Sequence, residues 1–216
     1  MVYITGDIHG NIHDERFKFI NKLNKDDIII FLGDFGFDWS PKHIKEYNVP
    51  CKTLFIAGNH ENYDILKNLP ETELYGDTVK ILKDNVYYLL TGNYYTIENK
   101  TFLIFGGATS IDRDCRIPFL SWWPDEVPTW EEFEKTKTAL QNHNNKVNYF
   151  LTHTCSRSTS KDFFNYMNGF NDGTEDMIEE LEKQIEGKYI HYFGHHHNDI
   201  KKDNQICMYT KIKKLF

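Results

Sequence analysis

Asp7 and His9 lie in the run Gly6-Asp7-Ile8-His9-Gly10, at the end of the first hydrophobic stretch of the chain. Gly33-Asp34, Gly58-Asn59-His60-Glu61, Thr152-His153 and Gly194-His195-His196-His197 are runs of the same character. Each follows β-branched or aromatic residues, so each is expected where a buried strand gives way to a loop. Loops held by rigid strands are where chemistry concentrates. Asp, Asn and His are hard-to-borderline ligands that suit divalent metals, and together the runs point to a two-metal hydrolytic centre. Asp7 and His9 are two apart, which in extended backbone puts both side chains on one side. His195 and His197 repeat that spacing and direct His196 the other way. One such pair alone is more often a turn carboxylate beside a surface histidine. Their joint occurrence decides the matter, because most of the ten histidines fall in these runs. Strand exits of a parallel sheet also converge on one edge, where ligands bind.

The elements that must position these residues follow from hydrophobic pattern. Residues 2–5 read as a strand and Glu15–Leu23 as a helix with Phe17, Ile20 and Leu23 on one face. Ile28–Leu32 and Thr53–Ala57 are continuous apolar runs, as in strands buried on both faces. Pro41–Tyr47 reads as a short helix entered at Ser40, with Pro41 at its first position. This alternation predicts parallel strands with helical crossovers. Val79–Leu82, Val86–Leu90, Tyr94–Ile97 and Phe102–Phe105, separated by turn residues, predict an antiparallel meander. A helix is expected over Thr129–Asn142, capped by Thr129 with Glu132 three residues on. A strand at Val147–Leu151 and a helix over Thr174–Ile185, ended by Gly187, come next. Strands at Tyr189–Phe193 and Gln205–Thr210 complete the pattern, the second paired across Asp203-Asn204. No linker or repeat divides the chain, so the expectation is one α/β domain over residues 1–216, two sheets packed together with helices outside.

Composition sets the class of partner. The chain has 216 residues, 40% hydrophobic and 26% charged, with a net charge of −7. That balance fits a globular protein with a sizeable core and argues against a broad phosphate-backbone footprint, so long duplex nucleic acid is not an expected partner. A small anionic substrate remains compatible, because bound cations invert the local field. Met1-Val2-Tyr3-Ile4-Thr5 offers no basic and apolar leader, and no apolar stretch reaches membrane-spanning length. Cys51, Cys115, Cys155 and Cys207 are scattered, so neither disulfides nor a thiolate zinc site is expected and the cytoplasm is the default compartment. Cys155, close to His153, reads as a small buried side chain. His13, His43, His143 and His191 have no partner pattern and read as surface or packing residues.

The motifs resemble the calcineurin-like metallophosphoesterase superfamily, whose pattern runs D-x-H, G-D, G-N-H-[DE], H and G-H-x-H in this order. The match extends from Asp7 to His197. The resemblance implies a β-sandwich of two mixed sheets flanked by helices, a four-layer αββα fold. It also implies two divalent ions, manganese foremost, with iron, zinc, cobalt and nickel compatible with such ligands. One ion would take Asp7, His9, Asp34 and His197, the other Asp34, Asn59, His153 and His195, with the Asp34 carboxylate bridging. A hydroxide held between the metals would attack phosphorus, and His60 would act as general acid at the site rim. Two cations can clamp the attacking and leaving oxygens of an in-line displacement, and a neutral Asn59 keeps the site electrophilic. The implied activity is hydrolysis of a phosphomonoester or phosphodiester, with a nucleotide or phosphopeptide among the substrates. Serine/threonine phosphoprotein phosphatase activity is the alternative, and a catalytically silent scaffold of the same fold a remoter one.

One run departs from the pattern. Phosphoprotein phosphatases resemble G-D-x-V-D-R, whereas here the run is Gly33-Asp34-Phe35-Gly36-Phe37-Asp38-Trp39. The second acid is displaced by one, leaving Asp38 either a partner for His60 or a turn carboxylate, and the arginine is absent. Asp34-Phe35-Gly36 does not signal a kinase, since no phosphate loop or catalytic His-Arg-Asp accompanies it. Arginine forks suit phosphate, so Arg113, Arg116 and Arg157 are the candidates to replace the missing one; ion pairing with Asp112 or Asp114 is an equal reading for the first two. Ser121-Trp122-Trp123-Pro124 resembles a segment of small bacterial and phage members and reads as a pocket wall or as core.

Overall fold

The computed structural model describes residues 1–36, 41–164 and 173–216. Its first sheet is built from β1 (Val2–Thr5), β2 (Ile28–Phe31), β3 (Lys52–Phe55), β4 (Glu71–Leu74), β5 (Asp77–Lys83) and β6 (Val86–Leu89). The second holds β7 (Tyr94–Ile97), β8 (Lys100–Phe105), β9 (Tyr149–Thr152), β10 (Ile190–Phe193), β11 (Ile200–Lys202) and β12 (Gln205–Cys207), after which β13 (Lys213–Lys214) returns to the first. The strand orders are β13-β1-β2-β3-β6-β5-β4 and β11-β12-β10-β9-β8-β7. Both sheets are mixed. β1, β2, β3 and β6 run parallel in one, and β8, β9, β10 and β12 in the other.

Side-chain alternation along the central strands builds three apolar layers. Val2, Ile4, Ile28, Ile30 and Leu54 point between the sheets, where they meet Phe102, Ile104, Leu151 and Tyr192. The intervening Tyr3, Ile29, Phe31 and Phe55 point outward against Phe17, Ile20, Tyr47, Tyr63 and Leu66, carried by or flanking α1 (Phe17–Ile20), α2 (Pro41–Glu46) and α3 (Tyr63–Asn68). On the far side Leu103, Phe105 and Phe150 pack on Phe133, Leu140, Ile178 and Leu181 of α4 (Trp130–Asn142) and α6 (Gly173–Gln184), while α5 (Arg157–Phe164) follows β9. A strand covered on both faces must be apolar at every position, which is why Ile28–Phe31 carries no polar residue. The four-layer αββα expectation is met.

Two expectations are revised. The first helix is a single turn, Phe17–Ile20, because Arg16 before it is drawn inward to bond the β1 exit rather than exposed on a helix. The expected meander is two hairpins in different sheets: β5 pairs with β6 and β7 with β8, the chain crossing between sheets over Leu90–Asn93. Short strands and tight turns look alike whether the next strand continues the sheet or starts its neighbour. The strands β4 and β13 carry too few apolar residues to be read in advance, and the helices α3 and α5 are too short to show a period. The capping box at Thr129 forms as expected, its hydroxyl accepting from the Glu132 N–H while the Glu132 carboxylate accepts from the Thr129 N–H. The Thr174–Ile185 helix is also found, and Gly187 behind it has φ 84°.

Candidate metal centre

Parallel strands from both sheets end at one edge of the sandwich. Asp7 follows β1, Asp34 follows β2, Asn59 follows β3, His153 follows β9, and His195 and His197 follow β10. The convergence is not produced by strand pleating, as the two-residue spacing suggests, because the chain leaves extended geometry at the ligands themselves. His9, Asp34, His195 and His197 have φ values of 47°, 44°, 64° and 47°, a left-handed region that non-glycine residues rarely occupy. Such strain, of order 1–3 kcal/mol per residue, persists where the surroundings over-determine it and clusters at functional sites. The motif glycines make room for it: a Cβ on Gly58 would lie 2.2 Å from Asp34 Oδ1, and one on Gly194 2.2 Å from Asp7 Oδ1.

Two groups of donor atoms meet there. In the first, atoms of Asp7, His9, Asp34 and His197 all lie within 4.8 Å of one another. His197 Nε2 is 3.3 Å from Asp7 Oδ2 and 2.9 Å from His9 Nε2, and His9 Nδ1 is 3.8 Å from Asp34 Oδ2. In the second, Asn59 Oδ1 lies 3.0 Å from both His153 Nε2 and His195 Nδ1, and His153 Nε2 is 3.4 Å from Asp34 Oδ1. Donors held at about 2.1 Å from one cation are themselves about 3–4 Å apart, so both spacings fit the sizes of first-row divalent ions. Asp34 faces both groups, Oδ2 towards the first and Oδ1 towards the second. His196 points away, as expected, its ring stacked on Phe164 at 4.2 Å.

The electrostatics suit cations. The ring of His153 is fully buried and its Nδ1 donates to the Leu32 carbonyl at 2.7 Å. In the neutral imidazole the Nε2 lone pair then faces two acceptor oxygens, from Asp34 and Asn59, an arrangement satisfied by a positive centre among them. The protonated alternative is reflected in the His153 pKa: burial pushes it down, but Asp34 and Asp7 outweigh that and raise it to about 9. Burial acts to raise Asp34, yet the charges of His153, His60 and His9 hold it far below the usual carboxylate range. Burial and the neighbouring His153 and His196 drive His195 down to about 3, the neutral state a ligand needs.

His60 stands at the rim. Its backbone N–H donates to Asp34 Oδ1 at 2.8 Å and its half-buried ring lies 5.3 Å from that of His9. Burial lowers its pKa, opposed by Asp34. Of the candidate phosphate-binding arginines, Arg116 is nearest in effect, its charge acting on both His60 and Asp34. Its guanidinium forks onto Asp112 at 2.7 and 2.8 Å and donates to the Ser121 carbonyl. Arg113 is exposed beside Asp114, and Arg157 joins α5 to Asp176 of α6 at 2.5 Å. The structure therefore gathers the metal-type residues and His60, whereas Arg113 and Arg157 are engaged with acids outside the donor groups. Asp38 lies outside the described residues, as does the side chain of His43. Trp123 is core, its indole donating to Asp64. His143 stacks on Tyr94, and His191 is buried between Glu182 and Thr152.

Sequence reasoning missed several supporting residues. Buried Arg16 donates to the carbonyls of Gly6, Asp7 and Tyr209. The fully buried Glu61 accepts from the Phe35 and Gly36 N–H groups. Burial and the Asp34 charge raise the pKa of Glu61 to about 8. Asn59 Nδ2 donates to Ser110 Oγ, which donates to Glu126. The acid at the fourth place of Gly-Asn-His-Glu was a usable signal; Ser110 and Glu126 had none.

A family model described as calcineurin-like phosphoesterase matches residues 1–199. A solved structure assigned as a 5'-nucleotidase from Staphylococcus aureus, in complex with alpha-ketoglutarate, aligns over 96% of this chain and 48% of its own, at 15% identity and a TM-score of 0.51. This chain thus spans about half the length of that protein, and the likeness is one of fold. Phosphopantetheinyl hydrolase from Mycobacterium tuberculosis aligns over 96% and 87% of the two chains, at 15% identity and a TM-score of 0.44. None of the curated proteins matches the sequence.

Proposed function

This chain belongs to the calcineurin-like phosphoesterase family of metal-dependent hydrolases, and on that premise we propose that it cleaves a small phosphoester at a centre for two divalent cations. The observation that carries this reading is the Asp34 carboxylate, one oxygen facing the group of Asp7, His9 and His197 and the other facing His153. One cation is assigned to Asp7, His9, Asp34 and His197, and the second to Asp34, Asn59, His153 and His195. Manganese is the first choice for both. When bound, the pair supplies Lewis acidity that activates a water and withdraws charge from the phosphoryl group.

The residues of the chain do the rest. Asp34, Asp7 and the histidines would hold the cations, and so would set where the phosphoryl group sits. The Asp34 carboxylate, held by the His60 N–H, keeps the His60 backbone in register with that position. His60 assists departure of the leaving oxygen by delivering a proton from its ring. Its place beside the donor groups rather than within them supports that role. Arg116 is the arginine we assign to substrate, on the strength of its electrostatic reach to His60, and binding requires its fork to open from Asp112. Nucleotides and phosphopeptides are the substrate classes to test first, and the scattered free thiols favour a cytoplasmic setting.

The test is hydrolysis of an aryl phosphate and an aryl phosphodiester with Mn²⁺ added, then with chelator. Turnover of either that chelator abolishes is expected. No turnover of both under several divalent metals would overturn the enzymatic reading in favour of a scaffold.

A further inference from the structure

An asparagine can serve a cation only through its oxygen, since the amide nitrogen has no free lone pair. The side chain of Asn59 is buried and nearly symmetric in shape, so packing alone does not decide which end faces His153 and His195. Hydrogen bonding decides it. Glu126 is fully buried and its carboxylate accepts twice from one residue: Oε1 takes the Ser110 N–H at 2.6 Å and Oε2 the Ser110 hydroxyl at 2.7 Å. The Ser110 proton is thereby committed to Glu126, and Ser110 Oγ can only accept from its other side. Asn59 Nδ2 donates to it at 3.0 Å. A flipped Asn59 would set its oxygen against an oxygen with no proton to give.

We propose that Glu126 and Ser110 are positioning residues that select the ligating orientation of Asn59 and so set the affinity of the second cation position. The proposal rests on the two-cation reading above. Each part of the relay is anchored. Ser110 lies in the loop leaving β8, and the same loop bonds the Glu126 turn through the Ala108 N–H and the Glu126 carbonyl at 3.0 Å. The single turn Pro124–Glu126 is tied to α3 on both sides of its proline, by the Trp123 indole on Asp64 at 2.8 Å and by Lys67 on Asp125 at 2.7 Å. Since α3 follows the Asn59-His60-Glu61 loop, the relay closes a circuit that begins and ends beside the candidate metal centre. It also gives a physical role to the acid that follows Trp122-Trp123-Pro124-Asp125.

Calorimetric titration of the full chain with Mn²⁺ alone, in wild type, Ser110→Ala, Glu126→Gln and the double variant, tests this. Glu126→Gln is isosteric and presents an amide that can donate to Ser110 Oγ, releasing the serine proton towards Asn59 and favouring the flip. Wild type is expected to take up two equivalents. Both single variants should bind the first with affinity unchanged and the second about 10–100-fold more weakly, the usual cost of losing a partner that orients a ligand. The double variant should lose no more than Ser110→Ala alone. Unchanged affinity for both equivalents, equal weakening of both, or additive losses in the double variant would each overturn the relay. A wild-type chain that takes up a single equivalent would overturn the two-cation reading, and the relay with it.

Discussion

At the scale of single residues, the aspartate between the two donor groups carries the heaviest demand. Asp34→Asn keeps shape and removes the charge that both groups face, so activity should be lost and both Mn²⁺ equivalents should weaken in a direct titration. Weakening confined to one would refute the bridge. The histidine beside it makes a different prediction. If His60 protonates the leaving group, His60→Ala should slow alkyl phosphoester hydrolysis by about 10²–10⁴-fold, while esters of acidic phenols, which leave without a proton, are much less affected. Equal losses on both classes would reassign His60 to orienting substrate. Both residues stood out as candidates beforehand, because their type and order were enough. The left-handed backbone at Asp34 was not legible, since nothing in an isolated Gly-Asp announces it.

At the scale of elements, the strands deliver the donors and the helices keep the strands in place, which makes one buried contact informative. Glu182 of α6 meets His191 of β10, Oε1 to Nδ1 at 3.0 Å, and accepts from Gln205 of β12. Burial acts to raise its pKa, but the charge and hydrogen bond of His191 and the bonds from Ser156 and Gln205 outweigh it and bring it down to about 2. A carboxyl whose folded value lies below its unfolded value near 4.5 stabilises the fold above pH 4.5, and the contribution is lost as pH falls towards 2. That difference is worth about 3 kcal/mol. Urea unfolding from pH 6 to pH 2.5 should therefore show wild type losing more stability than Glu182→Gln, whose curve lacks this component. Parallel curves would place the contact among the energetically neutral ones. Sequence pattern located both elements but could not pair them, since a histidine and a glutamate nine residues apart carry no signal of contact.

At the scale of the whole molecule, the donors come from strands of both sheets, so a cation bound among them links the two halves of the sandwich. A ligand that binds only the folded chain stabilises it, by about 2.7 kcal/mol at a concentration one hundred times its dissociation constant. Added Mn²⁺ should raise the unfolding temperature and chelator should reverse the shift, with Asp34→Asn showing little of either. An unfolding temperature indifferent to Mn²⁺ in wild type would contradict a centre shared between the sheets. Among the described residues no helix is long and apolar enough to cross a membrane.

The order of Asp, His and Asn along the chain, each behind an apolar run, determined the family and the layered fold and singled out the candidate donors, because residue type and period are local properties that survive without coordinates. Only the tertiary structure decided how those donors converge. Left-handed turns at the strand exits do it rather than pleating, and the exits belong to two sheets rather than one. The fates of the arginines and of the Trp-Trp-Pro segment were likewise decided in three dimensions. A guanidinium is claimed by whichever carboxylate folding brings nearest, and a glutamate's task depends on a serine and an asparagine that meet it only once the chain has folded.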